Sequence, residues 1–256
     1  MTDQPTPPLP PPLRPNPRDP QEGFEPLEGG SDLPNIINKL LKKPLSIIHK
    51  VETEEDGGRI PLRLLFISVV CLAVFGLVVG TFSWEHQIWA APVKIVSGLL
   101  FSGLICLPSL YIFACLGGLD AKFRTIVGVL CGLIALSGLL LVGFAPVVWL
   151  FSVSSNSIAF LGFLLLALWF VCAGFGLVLV FRAGRALGMT NTGHLVVWCG
   201  VFLLVTLQMT TTLRPIVGTS DKFVNFEENK FFLAYWSEQL NREWAGEESE
   251  QRPFSD

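Results

Sequence analysis

The sequence predicts an all-α fold: a polytopic membrane helix bundle of five transmembrane helices, with the amino terminus inside and the carboxyl terminus outside. Three observations lead there. First, 51% of the residues are hydrophobic and only 15% are charged, and the charged ones crowd toward the two ends. Second, five apolar runs, residues 64–82, 95–116, 125–144, 158–181 and 195–213, contain no Asp, Glu, Lys or Arg. Each reaches the roughly 18–20 residues a helix needs to cross ~30 Å of hydrocarbon. Third, the basic residues of the loops alternate. Lys50, Arg59 and Arg63 precede the first run, Lys122 and Arg124 join the second to the third, and Arg182 and Arg185 join the fourth to the fifth. The opposite loops hold Lys94 in one and no basic residue in the other. Lys and Arg are retained on the cytoplasmic side, so this asymmetry sets the orientation.

The elements follow in order along the chain. Residues 1–32 form a Pro-rich tail whose "TPPLPPPLRPNPRDP" is extended and polyproline-like, because successive prolines fix φ and remove donors. It reads as a disordered tether, with a PxxP-binding partner as the alternative. No basic and apolar leader stands at the start, so the first span is expected to act as its own signal and stay.

Residues 33–61 form a basic juxtamembrane segment. In "LPNIINKLLKKPLSIIHKV", Ile36, Ile37, Leu40 and Leu41 recur at helical spacing beside Lys39, Lys42 and Lys43, with a break at Pro44. Two readings are open: an amphipathic helix lying on anionic lipid headgroups, or a helix docked on the protein itself. Residues 62–217 hold the five spans. Residues 218–245 place Phe232, Tyr235, Trp236, Leu240 and Trp244 broadly on one side of a helix, which suits an interfacial helix outside the membrane. Residues 246–256 are an acidic tail, expected to be disordered.

Within the spans, the absence of ionisable residues argues against a proton-coupled pump. All six cysteines, Cys71, Cys106, Cys115, Cys131, Cys172 and Cys199, lie inside spans without a CxxC pair or a neighbouring His, and read as small packing residues. Gly76 and Gly80, and Gly128 and Gly132, are GxxxG pairs that let helices approach closely. Pro108 sits mid-helix in "LICLPSLYIF". It frees the carbonyl of Leu104, which nearby hydroxyls or other helices would have to satisfy, and the kink is a static bend or a hinge.

The fifth span closes on "QMTTTLRPIVG". Pro215 lacks an N–H and Arg214 before it is biased away from the α region, so the helix is expected to end near Leu213. Gln208, Thr211, Thr212 and Pro215 form a polar stripe expected to face other helices or a wet cavity, since a Gln amide facing lipid lacks partners. Arg214 lies where hydrocarbon ends on the side poor in basic residues. It suits a lipid phosphate or a carboxylate such as Glu85.

Catalytic signatures are missing: no GxSxG, HExxH, phosphate loop or paired intramembrane carboxylates, and His49, His86 and His194 are scattered. No enzyme activity, cofactor or metal is expected, and no nucleic acid partner.

Taken together, "FGLVVGTFS", "VKIVSGLLFSGLICLPSLYIF", "FAPVVWLF" and "QMTTTLRPIVG" ahead of an aromatic tail resemble an uncharacterised bacterial multi-pass membrane protein family. Its marks are a proline-bearing second span (ICLPSLY) and a closing Gln-Met…Leu-Arg-Pro element. The resemblance covers residues 62–236, and relatives carry aromatics where this chain has Thr211 and Ile216. In layout it is also loosely similar to the Yip family of trafficking proteins. The resemblance implies a multi-pass protein of the bacterial cytoplasmic (inner) membrane, with Lys94, Pro108, Gln208, Arg214, Pro215 and Gly218 at motif positions. It carries no activity, because layout alone does not establish function.

The functional expectation is a non-enzymatic membrane binding or assembly component. Its partners would be the bilayer, anionic headgroups at Arg214 and at Lys39, Lys42 and Lys43, and an unidentified membrane protein. The alternative is a small transporter or channel using the polar end of the fifth span.

Overall fold

A computed structural model of the chain describes residues 33–53, 59–80, 90–120, 122–154 and 158–212. Every element among them is helical: α1 (Leu33–Lys42), α2 (Pro44–Thr53), α3 (Arg59–Gly80), α4 (Ala90–Leu116), α5 (Phe123–Ser154), α6 (Ile158–Ala186) and α7 (Gly193–Thr212). Four stretches, Arg59–Gly80, Ala91–Leu116, Phe123–Ser154 and Phe160–Ala186, are long and apolar enough to cross a membrane, and Gly193–Met209 is a shorter apolar helix. The protein is an α-helical membrane protein.

The central post is α5. Every residue from Gly128 to Gly138 is buried, as suits a helix that is apolar all round. It packs against α3 on one side and α6 on another, while α4 pairs with α7 and also touches α3. Lipid is as apolar as these side chains, so what holds such helices together is close packing and hydrogen bonds. Small residues supply the close approach. A Cβ at Gly176 of α6 would lie 2.5 Å from Ser137 Oγ and 3.0 Å from the Leu133 carbonyl oxygen of α5, and the Ser137 hydroxyl donates across the same seam to Cys172 O at 3.2 Å. Within the helices, the hydroxyls of Ser68, Ser102 and Thr206 turn back to the carbonyls of Leu65, Gly98 and Phe202. That satisfies them without a partner helix.

The end of the bundle rich in basic residues is tied together by its turns. Helices α4 and α6 both stop at a glycine with positive φ, Gly118 (85°) and Gly188 (94°). In each case the next N–H reaches back to the first turn of the cap, Leu119 to Ala114 O at 3.1 Å and Met189 to Gly184 O at 2.9 Å. Gly is favoured there because a Cβ is strained in the left-handed region. The two turns then meet, with the N–H groups of Thr190 and Asn191 donating to Gly117 O at 3.2 and 3.3 Å.

Helices α1 and α2 dock on this same end. Ile36, Leu40, Ile47, Ile48 and Val51 are buried in the common core, and Val51 sits where a Cβ on Gly128 would meet it at 3.0 Å. Arg124 Nη2 donates to Val51 O at 3.1 Å, placing a cation at the carbonyl end of α2, where the helix dipole favours it. The Thr125 hydroxyl donates to the Glu52 carboxylate. Of the two readings of this segment, docking on the protein accounts for its apolar face. Lys42 and Lys43 remain exposed on the other side.

Several helices outrun the apolar runs read in the sequence: α3 begins at Arg59 and not 64, and α6 ends at Ala186 and not 181. Helix α4 begins at Ala90 and not near 95, so Lys94 belongs to its first turns and not to a loop. Helix α5 continues through Pro146 to Ser154 and does not stop at 144. Residues 147–151, "VVWLF", remain apolar beyond the proline, and a membrane helix can carry the missing hydrogen bond.

Candidate functional site

Of the residues singled out in the sequence, Lys94 and Pro108 lie on α4, and Gln208, Thr211 and Thr212 lie on α7, the helix that packs against it. The two helices run antiparallel. Trp198 of α7 sits level with Cys106 of α4, and Thr190 is level with Gly117. Extending that register at ~1.5 Å per residue sets Lys94 level with the last turns of α7, near Gln208 to Thr212. Lys94 is 3% exposed, and it is the only basic residue among the described residues at that end.

The middle of the seam is closed by a polar knot under an aromatic stack. The Ser109 hydroxyl donates to Cys106 O at 2.8 Å. Trp198 Nε1 donates to the same carbonyl at 3.1 Å and lies 3.2 Å from Ser109 Oγ. Trp198 and Phe202 are both fully buried, and their rings stack at 5.3 Å with 21° between planes. Pro108 itself is exposed on the outer side of α4. The seam bonds go to Cys106 O and not to the Leu104 carbonyl that the proline frees, and Leu104 lies on the exposed face. A proline that points away from a seam stitched on both of its flanks fits a static bend better than a hinge. Sequence reasoning did not single out Trp198. The signal was there, since an indole in mid-span has an N–H that must find an acceptor.

The face of α7 that packs on α4 is not the one that carries Gln208. The face toward α4 consists of Leu195, Trp198, Cys199, Phe202 and Thr206, all buried. Gln208 continues instead the row of Val197, Val201 and Leu204, which are exposed. Gln208 is half-buried, with its Oε1 covered. By position Thr211 and Thr212 extend the same row at the end of α7. Arg214, Pro215 and Gly218 lie outside the described residues, as do Glu85, the Pro-rich tail and the aromatic segment 218–245. The structure therefore brings Lys94 and Gln208 to one end of the α4–α7 pair, and puts Pro108 toward the other, level with the first turns of α7.

On the opposite flank of α4, against α3, a Cβ at Gly76 would lie 2.5 Å from Pro92 Cα. Beside that contact lies an open groove of about 430 Å³, lined by Ala73 of α3 and by residues of α4 between Pro92 and Leu104.

The chain matches no protein-family model, no curated protein and no solved structure. The reading of the site therefore rests on its own chemistry.

Proposed function

We propose that this protein is a non-enzymatic binding or assembly component of the bacterial cytoplasmic membrane. It crosses that membrane five times, with the amino terminus inside and the carboxyl terminus outside. In this reading α7 is the fifth span, and the end holding Lys94, Gln208, Thr211, Thr212 and the Arg214-Pro215 element faces outward. It engages the anionic groups of other membrane components, lipid headgroups or the acidic residues of a membrane protein.

One observation carries the choice of binding over transport. Below Gln208, α7 meets α4 through Phe202 and Trp198, both fully buried and stacked. A solute entering at the polar end would meet a packed aromatic floor. That favours a site over a path, and it counts against the transporter or channel reading. Gln208 lies off the α4 contact face, on a row with Val197, Val201 and Leu204, and a polar side chain there can serve as glue between helices.

The test is purification in mild detergent with identification of bound lipid and protein, comparing the natural chain with Arg214→Gln and Arg214→Lys. Retention of an anionic component should fall in Arg214→Gln and recover in part in Arg214→Lys, which keeps the charge but not the planar fork. Unchanged retention in Arg214→Gln rejects the reading. Accumulation of a small solute in proteoliposomes would favour the transporter.

A further inference from the structure

We infer that α1 lies in the headgroup layer of the leaflet at the basic end of the bundle, with Leu33, Ile37 and Leu41 at the acyl boundary and its lysines on anionic phospholipid. Docking on the bundle covers only one row of α1. Ile36 and Leu40 are 3% and 1% exposed, whereas Leu33 and Leu41, on the next row round the helix, are 40% and 52% exposed. Ile37, between them on that row, is partly buried against the core. With about 3.6 residues per turn, residues 33, 37 and 41 stack at i, i+4 and i+8. The two rows adjoin, so they form one apolar arc, turned half onto the bundle and half away from it.

The surroundings of the bundle at that end decide what meets the outward half. Helix α1 touches α3 and α5, and the first turns of those two helices leave Leu62, Phe66 and Phe123 exposed. Both helices are long and apolar enough to cross a membrane, so such side chains on their flanks meet hydrocarbon. A helix that shares its apolar arc between this bundle and its surroundings shares it with lipid. Asn35, Asn38 and Lys42 fall on the opposite side of α1, with Asn38 and Lys42 exposed. An apolar arc backed by a polar, lysine-bearing one is the pattern of a helix lying in the interface plane.

Charge selects the lipid. Helix α1 and the elbow after it hold Lys39, Lys42 and Lys43 and no acidic residue, and Lys42 and Lys43 are exposed. The elbow is pinned. The Lys43 N–H donates to Lys39 O at 2.7 Å, and the Ser46 N–H and hydroxyl both donate to Lys43 O, at 3.1 and 2.8 Å. That turn ties the backbone carrying the lysines to α2, whose Ile47 and Val51 are buried. Each basic residue near a membrane surface favours an anionic lipid by about fivefold. This surface lies away from the Lys94 end of α4 and does not depend on the outer site proposed above.

The experiment uses the full chain, its own cysteines replaced, in nanodiscs of phosphatidylcholine and phosphatidylglycerol. A fluorophore is attached in turn through Leu33→Cys, Leu41→Cys and Asn38→Cys. Lipid with brominated acyl chains should quench the probes at positions 33 and 41 and spare the probe at 38, which aqueous iodide should reach instead. Bromine carried on phosphatidylglycerol should quench at position 41 as if enriched about fivefold over phosphatidylcholine. That preference should be lost in Lys42→Gln with Lys43→Gln and kept in Lys42→Arg with Lys43→Arg. All the altered residues are exposed, so docking of α2, read by amide exchange across residues 44–53, should stay as in the natural chain.

Probes at 33 and 41 that iodide reaches as readily as the probe at 38 put the row in water and overturn the interfacial placement. Shielding from iodide and bromine alike puts protein on the row, a second copy or the chain's own residues 1–32, and equally overturns it. Quenching at 41 with no headgroup preference overturns the anionic assignment.

Discussion

Replacing Trp198 by Phe removes one N–H and part of the ring volume from the α4–α7 seam, so with a partner mutation it measures what the knot at Cys106 contributes. Two losses add. The first is the hydrogen bond from Nε1 to Cys106 O at 3.1 Å. Interhelical bonds in membranes average about 0.6 kcal/mol and reach about 1.7, because the unfolded chain in lipid also finds partners. The second is volume: Trp198 is fully buried, and the step to Phe is a fraction of the roughly 3–5 kcal/mol that truncation of a buried aromatic to Ala costs. The sum for Trp198→Phe is about 2 kcal/mol, against about 4 for Trp198→Ala. A double-mutant cycle with Ser109→Ala separates the terms. The Ser109 hydroxyl touches both Cys106 O and Trp198 Nε1, so the two changes should couple by about 0.6 kcal/mol or more. Reversible unfolding in mixed micelles, followed by Trp-independent steric trapping of tagged sites on α4 and α7, gives these values. Additivity within about 0.3 kcal/mol, or a Trp198→Phe cost as large as that of Trp198→Ala, would refute the knot and leave the seam held by shape alone.

Three more outcomes follow from the packing and the topology. Gly76→Ala should destabilise by about 1–3 kcal/mol in the same unfolding assay, since its Cβ would meet Pro92 backbone at 2.5 Å, while Gly143→Ala, with nothing within 4 Å, should not destabilise. Thr125→Val removes the donor to the Glu52 carboxylate, a charge-assisted bond worth about 1.5 kcal/mol; amide exchange across residues 33–53 should then quicken by about tenfold, and no change would place the hold on α2 elsewhere. For topology, cysteines introduced at Lys42 and Ser220 in a chain stripped of its own cysteines should react with impermeant reagent from opposite faces; Lys42 is exposed, and reaction of both from one face refutes five crossings.

Four long apolar helices were legible because their signal is length and apolarity, which survive any arrangement of neighbours. Phase was not. A helix apolar all round gives no moment to say which side meets protein, so the sequence could group Gln208, Thr211 and Thr212 but could not tell that Trp198 and Phe202, on another face, would take the contact with α4. The docking of α1 and α2 was legible only as one of two readings. Ile36, Leu40 and Val51 make an apolar face that fits either a bilayer surface or a core, and only the placement of Val51 against Gly128 separates them. The third run was bounded at 144, yet α5 continues past Pro146 to Ser154, since a helix in apolar surroundings can carry a proline. Lys94 read as a loop residue because charge is the marker of span ends, and it proved to be buried in the first turns of α4.

The arrangement of features around α4 bears on how such a protein could act. One flank of α4 meets α7 through Trp198 and Phe202, and Gln208 lies on another face of α7. On the other flank, beside the contact of Gly76 with Pro92, lies an apolar groove open to the side. Between them α5 is packed tight along eleven consecutive residues, Gly128 to Gly138. A protein that moved a solute across the membrane would need its polar groups to continue through that interior. Here the features that could recognise another molecule lie on lateral faces of the bundle, at one end of α4 and α7, where lipid or another membrane helix would meet them. Packing of this kind resists continuous deformation, so the proposed binding role calls on a fixed surface and not on a moving one.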